Sequence, residues 1–464
     1  MAEIKRASDR IGTDSVGRLL LRFSIPAMIG MLVNAVYNIV DRIYIGQGVD
    51  SLGIAGVGLV MPVMMIIQAF SMLVGIGANS LFSIRLGENR SDEVEKIMGN
   101  AFTLLFLIPG VCIVLCLYFM EPILRDVMKA DGEVYKYAES YLRIILYGAI
   151  FAAMSPGLTH FIRSDGHPRT SMLVQIVGAL ANIILDPIFI FVFNLGVAGA
   201  AWATIISQFI SFVFVMGYFN SKWTRLRFHF RYMKLNAKLT GAILAIGFAP
   251  FIMQFAMSFV GILQNAVILK YGGAEALTAM TIFFSALTII IMPIMGIGQG
   301  AQPIIGYNYG AKRYDRVKRC FKLALAACAA MLFSGFLVAQ LAPGFCFSLF
   351  SKDGGTLRES SILTMRICTS MFPFIAFQVM GGQLFQAIGK PIQASVLSLS
   401  RQILFFIPSI LFLPLLFEEI GLNPIYGVYC AFPLSDICSS MISFAFIRGE
   451  FKRMKTPLLI SASK

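Results

Sequence analysis

Residues 19–45 read LLLRFSIPAMIGMLVNAVYNIVDRIYI. The run is long and apolar enough to cross a bilayer, whose ~30 Å hydrocarbon core takes ~20 residues of helix. Yet it carries a carboxylate, Asp41, with Tyr37 one helical turn before it and Asn34 nearly two turns before, all on one face. A charge there is costly unless it meets a cavity or a partner. The stretch therefore predicts a membrane-spanning helix with a functional residue on it.

Comparable runs recur outward from it, at 54–84, 98–119, 135–159, 170–193 and 197–219, then at 240–269, 275–307, 321–349, 361–387, 392–417 and 424–447. The predicted fold is an all-α polytopic membrane protein with twelve transmembrane helices. Composition agrees: 464 residues, 58% hydrophobic and only 13% charged, against ~25% charged in soluble proteins. The net charge of +14 does not point to nucleic acid, because the basic residues sit in short loops between apolar runs. The eight cysteines form no CxxC pair, so no disulfide framework or metal site is expected. No GxxxxGK[ST] occurs, so the chain has no P-loop of its own.

Lysine and arginine counts set the orientation. With the N-terminus inside, inner segments hold 27 of these residues and outer loops six, which places both termini in the cytoplasm. The two halves also match at an offset of about 223 residues. GENRSDEVEK (87–96) matches GAKRYDRVKR (310–319), and Gly and Pro align between IRSDGHP (162–168) and QAIGKP (386–391). Arg143 matches Arg366, and GIG at 75–77 is matched to GIG at 296–298. A repeat of six spans ends on the side where it began, so the pseudo-twofold axis runs along the membrane normal. Residues 1–221 and 240–464 are read as two six-helix bundles, and 222–239 as a basic cytoplasmic linker.

Span 5 offers Asp41 a partner. Asp186 falls in the outer half of the bilayer, at similar depth, with Asn182 one turn before it and Pro187 freeing a carbonyl just after. Thr204 of span 6 lies nearby in depth. Two carboxylates, an amide and hydroxyls can hold a hard cation such as Na⁺, or the carboxylates can share a proton. The second half lacks this pair and has instead Arg401 and Asp436 near the midplane, read as a structural salt bridge with direct substrate contact as the alternative. Arg143 can pair with Glu139 and, like Arg366, snorkel outward.

These features resemble the multidrug and toxic compound extrusion (MATE) family over nearly the whole chain, most closely its bacterial DinF- and MepA-like branches. The resemblance rests on AxYNxxDxxxIG at the end of span 1 (Ala35 to Gly46), NxxLDxxFIF (Asn182 to Phe191) and GxAxAT (Gly199 to Thr204). It implies that Tyr37, Asp41, Asn182, Asp186 and Thr204 couple transport to a cation, with Tyr141 a neighbour. If the ion is Na⁺, its ligands would be Asp41, Asn182, Asp186 and Thr204. The branch with acidic residues in spans 7 and 10 is not matched: Ser258 stands at the span 7 position. The expected protein is a monomeric antiporter of the bacterial inner membrane that needs no cofactor and exports organic, cationic or amphipathic compounds against H⁺ or Na⁺. A lipid-linked oligosaccharide flippase of the same superfamily is the alternative, with Arg401 free in the cleft as its mark. An intramembrane enzyme is a third reading, opposed by the placing of His160, His167 and His229 at cytoplasmic loops.

Overall fold

The computed structural model describes residues 10–49, 51–222, 224, 230–350 and 355–454. Lys5, Arg6, Lys352, Lys455, Lys464, His229 and part of the basic linker lie outside them. Six helices build the first bundle: α1 (Val16–Gly48), α2 (Ser51–Gly87), α3 (Ser91–Tyr118), α4 (Gly132–Ser164), α5 (Pro168–Pro187) and α6 (Gly196–Asn220). Past Pro187, which cannot donate to the helical ladder, α5 widens into a π-helical turn, Ile188–Val192. In the second bundle, α7 (237–272) and α8 (274–310) are limbs of one 74-residue helix, Ala237–Gly310. The loop expected between spans 7 and 8 is absent, because Gly273 makes the break alone at a φ of +64°.

The remaining helices are α9 (Tyr314–Leu341), α10 (Thr356–Thr369 and Phe372–Ala387, bent by 54°), α11 and α12 (Pro424–Arg453). α11 joins Pro391–Leu399 and Ile407–Glu419 through a second π-helical turn, Ser400–Phe406. With the kinked limbs taken separately and the bent pair as one, twelve helices cross the membrane, as the hydropathy predicts.

The duplication is written in the backbone. Asn89 and Lys312, Gly132 and Gly355, and Gly166 and Gly389 all have positive φ, each pair 223 residues apart. The same offset governs the seam between the bundles. A Cβ on Gly87 would collide with the carbonyl of Tyr307, and one on Gly310 with that of Ile84. Gly77 meets Gly247, and its counterpart Gly300 meets Ser24. These reciprocal contacts correct the sequence match of the two GIG triplets, which is out of step by two residues: Gly75 and Gly77 correspond to Gly298 and Gly300. Missing side chains let the backbones close together, which is how helices associate where lipid supplies no hydrophobic drive.

The seam is sealed toward the face where the described residues begin and end, at residues 10 and 454. Gln302 donates to Ser80 Oγ at 2.8 Å, and Arg163 to Gln299 Oε1 at 2.9 Å. Toward the opposite face, no hydrogen bond among the described residues joins the bundles beyond Met65 and Ser258, near the middle of α2 and α7. Polar residues exposed past that level include Asn34 and Asn38 on α1, and Thr278, Thr281 and Thr288 on α8.

The bundles also exchange their first helices at the sealed end. Ile11, Val16, Leu19, Leu20 and Phe23 are buried in the core of the second bundle. Ile243 and Ile246, at the start of α7, are buried in the core of the first. Arg316 grips the Ile11 and Asp14 carbonyls at 3.1 and 2.6 Å, and Arg313 that of Gly12 at 2.6 Å. Asn100 and Thr103 of α3 hold the carbonyls of Tyr232 and Met233 in the matching way, at 3.2 and 2.8 Å.

Candidate cation-binding site

The outer third of α1 brings Asp41 to the last turn of α5. Asp186 is fully buried, and Asn182 Nδ2 donates to its Oδ1 at 3.2 Å. The Asp41 carboxyl stands beside that of Asp186, near enough for the two to interact directly. Tyr37, one turn below Asp41, and Tyr141 of α4 both stand within electrostatic range of the two carboxyls. Tyr141 is 2% exposed and lies in the core beneath the site, so the fold does draw it in.

Among the described residues, Asp186 Oδ2 and Asn182 Oδ1 are buried acceptors that receive no hydrogen bond. Buried acceptors without donors are costly, and a bound proton or a hard cation supplies what they lack. The donor set is all oxygen, which suits Na⁺ and not a soft metal. Thr204 is the outlier among the expected ligands. Its hydroxyl is half-buried and donates to Ala200 of its own helix at 3.0 Å, and no described hydrogen bond links it to the carboxyls. The side chain of Arg42, a possible alternative partner for Asp41, lies outside the described residues.

In the second bundle, Arg401 Nε contacts Asp436 Oδ1 at 2.6 Å, with Asp436 1% exposed. The pair joins the π-helical turn of α11 to α12, so Arg401 is not a free cation in the cleft. Arg143 pairs with Glu139 at 2.5 Å and both are partly exposed, as the i, i+4 spacing predicts.

Two inner-end expectations need correction. His160 is not in a loop: it lies within α4, one turn from its end, with Nδ1 buried. Arg163 is likewise not a loop cation. It is 3% exposed and bonded to Gln299 across the seam and to Ser171 Oγ at 3.3 Å. The reason is that a helix end tucked under the opposite bundle looks, in sequence, like any helix end near a basic loop. The available signal was the spacing of Ser171, Gln175, Asn182 and Asp186, which puts four polar residues on one face of an apolar span.

Comparison with known proteins follows the same division. The MatE family model matches twice, over residues 26–188 and 250–411, one match on each bundle. The chain is 27% identical over 451 residues to the multidrug export protein MepA of Staphylococcus saprophyticus, covering 96% of this chain and 97% of that protein. It is 28% identical over 434 residues to MepA of Staphylococcus haemolyticus, covering 93% of each. Among solved structures, an outward-facing multidrug resistance MATE transporter superposes with a TM-score of 0.89 at 24% identity, over 97% of this chain and 98% of that one. A MOP superfamily transporter from Pyrococcus furiosus also gives 0.89, at 22% identity over 97% and 98%. With one family model recurring on both halves of a duplicated twelve-helix fold, the chain belongs to the MatE family.

Proposed function

We infer that the protein is a multidrug efflux transporter that exports organic, cationic or amphipathic compounds in exchange for H⁺ or Na⁺, acting as a monomer. The observation that carries this reading is the Asp41–Asp186 pair, an acid site with unsatisfied oxygens in the outer part of the first bundle, in a structure sealed at the other face. The excess of lysine and arginine at the sealed face supports its being cytoplasmic, which makes this an outward-open state in a bacterial inner membrane. The cation arrives at Asp41 and Asp186 from outside. It neutralises the pair, and the change in charge between α1 and α5 favours the rearrangement that releases substrate and opens the inner face.

The relatives' names support drug export as the activity. The flippase reading loses its distinguishing feature, since Arg401 is spent on Asp436. We read the chain as a carrier and not a catalyst, with no cofactor beyond the coupling ion. The test is efflux of a fluorescent organic cation from proteoliposomes under a Na⁺ gradient and then a pH gradient. One gradient should drive wild-type efflux, and Asp41→Asn should abolish it while the protein still inserts. Ion-driven efflux at the wild-type rate from Asp41→Asn would sink the proposal.

A further inference from the structure

A polar stripe leads from the acid pair toward the sealed face. On α5, Asp186, Asn182, Gln175 and Ser171 follow one another at helical spacing on one side. Asn182 bonds to Asp186, and Asn182 and Ser171 are both buried. Gln175 packs against Gly30 of α1, whose missing side chain leaves the room: a Cβ there would meet the amide at 2.8 Å. Beside it Gln299 reaches over from α8, its amide against Met31 Sδ at 3.5 Å. The four fall in two pairs, Asp186 with Asn182 and Gln175 with Ser171, about 10 Å apart along α5 at 1.5 Å per residue, and they are the polar footholds a proton or a dehydrated cation would use in an otherwise apolar wall.

At the inner end of this stripe stands Arg163. It bonds to Ser171, the last residue of the stripe, and to Gln299 of the opposite bundle. It is 3% exposed, its Nε has no partner, and no described carboxylate forms an ion pair with it. Its neighbour Asp165 turns Oδ2 instead to the hydroxyls of Tyr218 and Thr224, at 2.7 and 2.9 Å. His160, one turn earlier, brings no negative charge. A buried cation without a counter-charge costs several kcal/mol and is not kept for stability.

We propose that Arg163 is a coupling residue: a fixed positive charge that stops the coupling cation from leaking through the closed inner seal once it has reached the acid pair. The inference rests on the ion-coupled reading above. An antiporter that lets its driving ion through without substrate dissipates the gradient. A positive charge in a low-dielectric constriction repels H₃O⁺ and Na⁺ alike, which is how arginines exclude cations from other pores. Arg163 sits where the polar side chains of the seal, Ser171 and Gln299, converge, so its charge faces an ion that enters there.

The test is ion flux without organic substrate. Proteoliposomes carry a pH-sensitive or Na⁺-sensitive dye inside, and a gradient of that ion is imposed. Arg163→Gln should raise uncoupled flux about tenfold or more over wild type, and Arg163→Lys, which keeps the charge, should stay near wild type. Adding Asp41→Asn to Arg163→Gln should bring the leak back down, because the route begins at the acid pair. Should Arg163→Gln fail to fold, Ser171→Asp neutralises the charge in place and should leak in the same way. Wild-type flux in a folded Arg163→Gln or Ser171→Asp protein overturns the proposal. If wild-type efflux responds to neither gradient, the antiport reading fails first. If efflux is ion-driven and these variants stay tight, only this inference fails.

Discussion

Replacing Asp436 with alanine should destabilise the protein severely while leaving its transport chemistry intact. The Asp436 carboxylate is 1% exposed and lies 2.6 Å from Arg401 Nε, whose side chain is 21% exposed. At an effective dielectric of about 20, unit charges 4 Å apart attract by about 4 kcal/mol. Removing one member of such a pair strands the other, and typically costs about 3–5 kcal/mol. For a cooperative unit of 150–250 residues, the size of one bundle, each kcal/mol lowers Tm by about 2–4 °C. A fall of about 10 °C is expected for Asp436→Ala in thermal unfolding of the detergent-solubilised protein. The double variant Arg401→Met/Asp436→Leu removes both charges and fills the space, so it should recover most of the loss. Below its Tm it should still export substrate under an ion gradient. Either of two results would rule out a structural ion pair here: a shift under about 3 °C for the single variant, or a double variant less stable than either single. A stable double variant with no efflux would move the pair from scaffold to substrate site.

Asp186→Asn should mimic the neutralised pair and abolish ion-driven efflux while substrate binding, measured by fluorescence polarisation, stays within about threefold of wild type. Thr204→Val should weaken apparent ion affinity by less than about threefold, because the hydroxyl already serves Ala200; a loss as large as that of Asp41→Asn would make Thr204 a true ligand. Gly87→Val and Gly310→Val place side chains against the carbonyls of Tyr307 and Ile84. Each should open the sealed face, since every 1.4 kcal/mol of clash shifts the equilibrium about tenfold. Spin labels at Arg90 and Lys312 should then show a longer mean distance, and an unchanged distance would count against the glycine seam.

Much of the fold was legible because it is a local property. Twenty apolar residues between basic turns make a span whatever surrounds them, and Pro168 and Pro391 or Gly166 and Gly389 announce the repeat by their own backbone needs. The acid site was half legible for the same reason. Asp41 and Asp186 are conspicuous in lipid, and equal depth made their meeting a fair expectation. What could not be read depends on one bundle touching the other. The burial of Arg163 depends on Gln299, 136 residues away, and the polar face that begins at Ser171 marks a polar lining without naming that partner. The glycine register failed because GIG matches GIG by letter, whereas the twofold contacts select GIG against GQG. The missing loop at Gly273 is a third case: one residue with positive φ does what several were expected to do.

The exchange of first helices has a consequence for how the protein is made. Ile11, Leu19 and Phe23 leave the ribosome long before the second-bundle core that buries them, which is supplied by α7 to α12. The start of α7 waits for nothing, since its pocket in the first bundle is already built. Vectorial synthesis is therefore lopsided for this chain. The second half docks onto a finished partner, while the amino-terminal helix must hold its place until nearly the whole chain exists. Severed halves expressed together should assemble, but the first half alone leaves an apolar helix end bare for quality control to find. The earliest helix to enter the membrane is among the last to be completed.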